Sequence, residues 1–167
     1  MTKKNKTILF AVLFILPVIA AYFVWNNNSD EQKIRQTLIR LASLAEKPDA
    51  ARPTEFAAKL RIIQTVFTDN INLDFRDIRL SGSYSPRSLE PMLVNFRKHF
   101  ADSDCSAGNM DITISSDRAD AVFSCSFRGR TRKGELIKEV RDINCRLVKI
   151  DKTWYIESIS INDILER

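Results

Sequence analysis

Side chains that commonly perform acid–base or metal chemistry are scarce in this sequence. Its 167 residues include a single histidine, His99, and three cysteines spaced 20 residues apart. General acid–base catalysis needs a titratable side chain held by an orienting partner, and no such partner accompanies His99. The cysteine spacing also excludes a cysteine-rich zinc module. We therefore predict no catalytic residue, no metal site and no cofactor.

The three cysteines differ in their expected surroundings. Cys125 and Cys145 fall on the apolar faces of two successive predicted strands, so both are expected to be buried thiols. A disulfide between them is the alternative if the compartment is oxidising and the strand register brings their Cα atoms within about 7 Å. Cys105 lies among polar residues and is expected to be exposed, where it would be free to pair with a second chain.

The densest positive charge lies between the predicted strands that carry Cys125 and Cys145. It consists of Arg128, Arg130, Arg132 and Lys133. A solvated turn is one interpretation, and a contact patch for an acidic partner or for anionic lipid headgroups is the other. Three of the 26 lysines and arginines precede the first apolar run, which leaves a charge of only +2 on the remainder. Without aromatic residues on which bases would stack, we predict no nucleic-acid partner.

The apolar run Ile8–Trp25 is long enough to cross a membrane. Its 18 residues carry no charge and would span roughly 27 Å as a helix. Lysines precede the run and acidic residues follow it, so the N-terminus should stay in the cytoplasm while the rest is exported. The predicted segments are a basic tail (1–7), a single-pass signal anchor in the inner, cytoplasmic membrane (8–25), a linker (26–29) and a periplasmic or otherwise extracytoplasmic domain (30–167). A signal peptide cleaved after Val18–Ala20 is the alternative, and it also exports the domain.

The exported part reads as two helices, two short strands, a third helix and four meandering strands. Asp30 is the expected N-cap of the first helix. Ser88 is the expected N-cap of the third, because Pro91 would then precede the hydrogen-bonded interior of that helix. Residues alternate with a period of two from Met110 onward. Strands joined by short connections pair antiparallel, so we predict an α+β cone in which one curved antiparallel sheet packs against three helices.

Three segments in this order resemble the nuclear transport factor 2-like (SnoaL-like) superfamily. They are the glycine-bearing lead into the third helix (Leu80–Phe100), a D-x-A-x-V hairpin (Ile112–Cys125) and a final hairpin (Cys145–Ile161). The last hairpin departs from the family pattern, because Lys152 or Thr153 stands where the family often has glycine. The resemblance implies the cone fold, which hosts enzymes, transport factors and assembly modules. Enzymes of the family use an Asp, often with a His or Tyr, inside the cone, and we transfer none of these residues.

The resemblance covers 30–164 and leaves two functions open. We expect a membrane-anchored binding or assembly module, attached through Ile8–Trp25, whose partner is another protein or a second copy of the chain. The alternative is a small-molecule-binding protein or a degenerate SnoaL-like isomerase or cyclase that accepts an apolar ligand in the cone. The candidate pocket residues for that alternative are His99, Phe123 and Trp154, although core packing is the favoured explanation for the two aromatic residues.

Overall fold

The computed structural model describes residues 29–48, 53–75 and 79–161. The predicted basic tail and signal anchor, and most of the predicted linker, lie outside these ranges. No helix within the three ranges combines the length and the apolarity that crossing a bilayer requires. The membrane anchor at 8–25 therefore stays a prediction from sequence.

Three helices and six strands make up the described part of the chain. In chain order they are α1 (29–43), α2 (Pro53–Val66), β1 (Phe67–Phe75), β2 (Leu80–Tyr84), α3 (Pro86–His99), β3 (Phe100–Ser115), β4 (Arg118–Thr131), β5 (Leu136–Ile150) and β6 (Thr153–Ile161). Two helices, two strands, a helix and four strands follow one another as the residue pattern predicted, although β1 is as long as β6, at nine residues each.

The six strands form one curved sheet in the order β2-β1-β6-β5-β4-β3. Strands that follow each other closely in the chain pair antiparallel, as their short connections require. However, β1 and β6 pair in parallel. The prediction of an entirely antiparallel sheet is wrong at this position, because these two strands are distant in sequence and no short connection fixes their relative direction.

The core lies between the three helices and one face of the sheet. Ile34 and Leu38 of α1 are fully buried, as their helical spacing predicted. Alternate residues of β4 also point into this core, where Ala119, Ala121 and Phe123 are each 1% exposed. This burial removes apolar surface from water on every second strand position, and it leaves the intervening residues, including the arginines of β4, on the opposite face.

Helix α3 begins one turn earlier than the sequence predicted. Its N-cap is Ser85 rather than Ser88, and the Ser85 side chain accepts a hydrogen bond from the Ser88 backbone N–H. Pro86 occupies the first helical position, where its fixed φ favours the helix and its missing N–H costs nothing. Pro91 consequently lies inside the helix. It is exposed, so water can satisfy the carbonyl that its missing N–H leaves without a helical partner.

Strand β3 also begins earlier than predicted, at Phe100 rather than near Met110. The residues between Phe100 and Met110 are mostly polar, so this part of the strand lacks the alternating hydrophobicity that predicts a strand. Their backbone nevertheless pairs with β4 from Phe100 onward, with irregularities next to Phe100 and between Gly108 and Asp111. Backbone pairing does not require apolar side chains, so this half of the strand is set by its neighbour rather than by its own pattern.

Candidate functional site

One end of the fold gathers a large share of the charged side chains. Here α1 and α3 end, β3 begins, and β4 turns into β5; we call this region the charged end. A groove of about 230 Å³ opens between the end of α3 and the turn from β4 to β5. Its lining residues, which define the basic groove, are Lys98, His99, Thr131, Arg132, Lys133 and Glu135.

Backbone hydrogen bonds fix the shape of the basic groove. The Arg132 N–H donates to the His99 carbonyl over 3.2 Å, which joins the turn to the end of α3. Within the turn, the Thr131 N–H donates to the Glu135 carbonyl at 2.9 Å. The Thr131 hydroxyl in turn accepts from the Glu135 N–H at 3.2 Å. The groove walls are therefore held before any ligand binds, which lowers the entropy cost of binding.

Cations outnumber acids in the basic groove. Lys98, Arg132 and Lys133 line it together with a single carboxylate, that of Glu135. Lys98 and His99 also belong to the last turn of α3, where the helix dipole favours positive charge. The His99 ring is exposed and meets the Phe100 ring edge-on, with the centroids 5.0 Å apart. This arrangement suits an anionic group from a ligand or partner.

The predicted basic patch divides between two environments. Arg130 binds the Asp102 carboxylate at 2.6 Å, across the ladder between β3 and β4. Arg128 lies opposite Asp104 in the same ladder. It lines a second groove, of about 490 Å³, with residues of β3 and of the segment after α1. Arg132 and Lys133, the other two members of the patch, line the basic groove. The patch therefore does not act as four equivalent charges.

Three cations that the sequence did not single out join the end of α1 and the segment after it to α2 and to the end of α3. Lys47 Nζ donates to two carbonyls at the end of α3, those of Arg97 (3.0 Å) and Phe100 (2.6 Å). Arg97 Nη1 donates to the Glu46 carbonyl at 2.8 Å. Lys59 of α2 donates to the Glu46 carbonyl at 2.8 Å and also to the Ser43 carbonyl. These donors satisfy carbonyls that a helix end leaves without intrahelical partners.

Burial confirms that two of these cations are structural. Arg97 is 8% exposed, and its guanidinium lies 5.1 Å from the centroid of the Phe56 ring. Loss of solvation lowers the pKa of Lys59 and the pKa of Arg97. The nearby Glu46 carboxylate, 3.6 Å from Lys59 Nζ, acts in the opposite direction. Both cations donate hydrogen bonds to backbone carbonyls, so we assign them to the stability of the fold rather than to ligand binding.

A buried ion pair holds the opposite end of α1. Asp30, the predicted N-cap, is helical, and its side chain is 5% exposed. Lys149 Nζ donates to Asp30 Oδ2 at 2.6 Å and lies 5.7 Å from the centroid of the Trp154 ring. Burial alone would raise the pKa of Asp30, but the hydrogen bond and charge of Lys149 hold it below its ordinary value. The Trp154 indole also favours the ionised carboxylate, although its Nε1 makes no well-aligned hydrogen bond.

The three candidate pocket residues lie in different places. Phe123 and Trp154 are 1% and 2% exposed and belong to the main buried cluster, whereas His99 is exposed at the charged end. The structure therefore groups His99 with Arg132 and Lys133. Within the described ranges, no three His, Cys, Asp or Glu side chains cluster in the way that a metal ion requires.

The cysteine predictions are corrected on two points. Cys105 is 5% exposed rather than exposed, and its Sγ lies 3.1 Å from Cys125 Sγ. Cys145 stands opposite Ala121, whereas Cys125 stands opposite Arg141, so the strand register separates Cys125 from Cys145. Cys145 is a buried thiol, as predicted, and burial raises its pKa to about 12. Cys125 is only half-buried, which departs from the prediction. The alternative of a Cys125–Cys145 disulfide does not fit this register, and the neighbour of Cys125 is Cys105.

Comparisons with known proteins identify the fold. No family model and no curated protein sequence matches the chain. Among solved structures, the Kfla4162 protein of Kribbella flavida is similar with a TM-score of 0.66 and 18% identity, over 84% of this chain and 95% of that one. A nuclear transport factor 2-like superfamily protein from Salmonella enterica serovar Typhimurium gives a TM-score of 0.66 and 13% identity, over 84% and 94%. Hexachlorocyclohexane dehydrochlorinase LinA-type3 of Novosphingobium barchaimii gives 0.67 and 10%, over 83% and 88%.

These similarities show the fold and no more, because all three identities are low. The chain has the nuclear transport factor 2-like architecture that its sequence resembles, which confirms this part of the prediction. The fold is shared by proteins with and without enzymatic activity. Function must therefore be argued from the side chains of this chain.

Proposed function

We propose that this chain is a binding module whose basic groove holds an acidic segment of a protein partner, and that the segment 8–25 anchors it in the cytoplasmic membrane with the domain outside. The observation that carries the proposal is the composition of the groove. Lys98, Arg132 and Lys133 face a single acid, Glu135, on walls fixed by backbone hydrogen bonds. Preformed clusters of cations recognise carboxylates with little reorganisation.

The position of the groove favours a protein partner over lipid headgroups. The predicted anchor ends at residue 25, and α1 is already helical at 29, where it lies beside the turn from β5 to β6 through the Asp30–Lys149 pair. The basic groove lies at the other end of α1. A helix of this length spans about 21 Å, which exceeds the Debye length of about 8 Å in physiological salt. We therefore infer that the groove faces away from the bilayer and binds another protein.

Charge reversal within the groove tests the proposal. A photoreactive amino acid in place of Asn95, which is exposed one turn before Lys98 on α3, should capture an acidic partner in intact cells without removing a cation of the groove. The double variant Arg132→Glu with Lys133→Glu should lose this adduct by tenfold or more, since two attractive charges become repulsive. The matched control is Arg118→Glu with Lys152→Glu, which changes the net charge equally at the opposite end of the sheet. The control should retain the adduct.

An equal loss in both double variants would reject the basic groove as the binding surface. A synthetic peptide rich in Asp and Glu provides a second measurement with the purified full chain. Its affinity should fall as ionic strength rises, and it should fall further in the Arg132→Glu, Lys133→Glu variant. Binding that is insensitive to both changes would contradict an electrostatic contact.

A small-molecule-binding protein or a degenerate isomerase is the second candidate, and the similarity of the fold to a dehydrochlorinase favours it. In that case the purified chain should convert or bind an apolar ligand within the cone. Replacement of His99 by alanine is the discriminating change. Turnover that is abolished by His99→Ala would support the enzyme, whereas unchanged folding with lost peptide binding would support the binding module.

A further inference from the structure

Two thiols meet on the inner face of the sheet. Cys105 on β3 stands opposite Phe127 of β4, and Cys125 on β4 stands opposite Ala107 of β3, so the cysteines are diagonal neighbours. Their Sγ atoms are 3.1 Å apart. A disulfide bond is about 2.05 Å long, so the two sulfurs need to approach by only about 1 Å to bond.

The two thiols are not equivalent. Cys105 is buried and Cys125 is half-buried. Either sulfur can donate the hydrogen bond between them. This bond favours a single thiolate in the pair, and it lowers the pKa of Cys125 and raises the pKa of Cys105. A thiolate is the nucleophile in thiol–disulfide exchange, so the more accessible Cys125 is placed to react first.

We propose that Cys105 and Cys125 are a redox pair that closes to an intrachain disulfide by exchange with an external disulfide. The Cys125 thiolate attacks one sulfur of the oxidant and releases the other as a thiolate. Cys105 then gives its proton to solvent and attacks the Cys125 sulfur, which releases the second thiolate. The chain loses two protons and two electrons, and the oxidant becomes two thiols.

The neighbouring structure can accommodate the bond. Among the described strands, β3 lies at one edge of the sheet, with only β4 beside it, and its ladder with β4 is already irregular between Gly108 and Asp111. On its other side β3 is bridged to Lys47 at Ser103, so the shift that closes the bond falls on the segment between this bridge and the irregularity at Gly108. Diagonal Cα atoms in such a ladder are about 7–8 Å apart, slightly beyond the usual range of a disulfide, so closure requires a small shift of the backbone. We therefore expect a strained bond that ordinary dithiols reduce readily.

Closure of the disulfide would tighten the charged end. Phe127, opposite Cys105, packs against Phe96 and Phe100, with ring centroids 5.7 Å and 5.2 Å away. These residues support the end of α3, and the Asp102–Arg130 ion pair lies in the same ladder. A covalent link between β3 and β4 therefore restrains the strands that carry part of the predicted contact patch.

The test uses the purified full chain, first reduced and then incubated with oxidised glutathione. After denaturation and alkylation with iodoacetamide, the oxidised chain should carry one alkyl group rather than three, because Cys145 is the remaining free thiol. Peptide mapping should join Cys105 to Cys125. Cys145→Ser, the matched control, should still form the bridge and should then carry no alkyl group. The oxidised chain should melt about 2–5 °C higher than the reduced chain, less than an unstrained bridge would give, and dithiothreitol should reverse the difference.

Three alkylated cysteines after this treatment would overturn the proposal. A bridge that includes Cys145 would do the same, as would a glutathione adduct on Cys125 that Cys105 never displaces. Because the reaction is carried out on purified protein, its outcome does not depend on export or on the basic groove. Alkylation in intact cells then tests the location separately, since an exported chain should be isolated with the bridge already formed.

Discussion

Replacement of Lys149 by methionine is expected to lower the free energy of unfolding by about 3 kcal/mol at neutral pH. The side chains of Lys149 and Asp30 are 17% and 5% exposed, and their charged atoms are 2.6 Å apart. Methionine keeps most of the aliphatic stem but leaves the Asp30 carboxylate buried without its main partner. Removal of one member of a buried ion pair costs about 3–5 kcal/mol, because the remaining charge has lost its solvation and its partner.

A second cation places the estimate at the lower end of that range. Lys33 Nζ lies 3.7 Å from Asp30 Oδ1, but the Lys33 side chain is 50% exposed. Such a pair contributes less than about 1 kcal/mol. It should compensate only in part for the missing Lys149, and Lys33→Met in the wild-type background should change the free energy of unfolding by less than about 1 kcal/mol. This variant is the matched control, since it also removes one lysine near Asp30.

Urea denaturation followed by circular dichroism measures these effects in a double-mutant cycle. Asp30→Asn in the Lys149→Met background removes the uncompensated charge, so the double variant should be more stable than Lys149→Met alone. We expect a coupling energy of about 2 kcal/mol between the two positions. A loss below about 1 kcal/mol for Lys149→Met, or additive losses in the double variant, would refute the view that this pair holds the start of α1 to the sheet.

Three further predictions concern acid stability, packing and the anchor. The pKa of Asp30 in the folded chain lies below its ordinary value of 3.8. The ionised carboxylate therefore contributes its full stability above that pH, and this contribution is lost as the pH falls through the folded pKa. Between about pH 6 and pH 2, the free energy of unfolding should fall less steeply in Asp30→Asn than in the wild-type chain. Gly129→Ala places a methyl group 2.7 Å from the Phe100 ring and should destabilise by about 1–3 kcal/mol in urea, whereas Gly108→Ala, with no heavy atom within 4 Å, should change stability by less than about 0.5 kcal/mol. Ile8–Trp25 should resist carbonate extraction and appear in the intact mass, and a soluble product without it would contradict the anchor.

The order of helices and strands could be predicted from the sequence because local hydrophobic patterns determine it. Helical spacing marks Ile34 and Leu38 as core residues, and alternation does the same for Ala119, Ala121 and Phe123. Prediction from sequence was wrong where a neighbouring strand, rather than the local pattern, determines the structure. The polar first half of β3 is a strand because β4 lies beside it, and β1 pairs in parallel with β6 because the sheet brings them together.

The local sequence around α3 offered two consistent starts, and the choice depended on how a proline is weighed. Ser88 avoids an internal Pro91, whereas Ser85 gains a proline at the first helical position and a serine cap. The helix begins after Ser85 because Pro91 is exposed, which allows water to replace the missing hydrogen bond. Exposure is a tertiary property, so spacing alone was not enough to decide between the two.

The candidate site was recoverable only in part for the same reason. His99 and the arginine-rich turn were each visible in the sequence, but their proximity depends on the hydrogen bond from Arg132 to the His99 carbonyl. Lys47, Lys59 and Arg97 carry no signal that separates them from solvated cations, although their donors are directed at backbone carbonyls. Charge composition thus overstated how many cations are available to a partner.

Strand register explains why the alternative of a Cys125–Cys145 disulfide does not fit the fold. Alternation places Cys125 and Cys145 on the same face of adjacent strands, but the register moves them four positions apart along the ladder. Cys105 was predicted to be exposed because its neighbours in sequence are polar, whereas it is buried and its neighbour in space is Cys125. The face of a strand follows from a period of two, whereas register depends on turn length and bulges. Two thiols of one chain can therefore be predicted to face the core without any indication that they meet, and the alkylation count after oxidation measures that meeting directly.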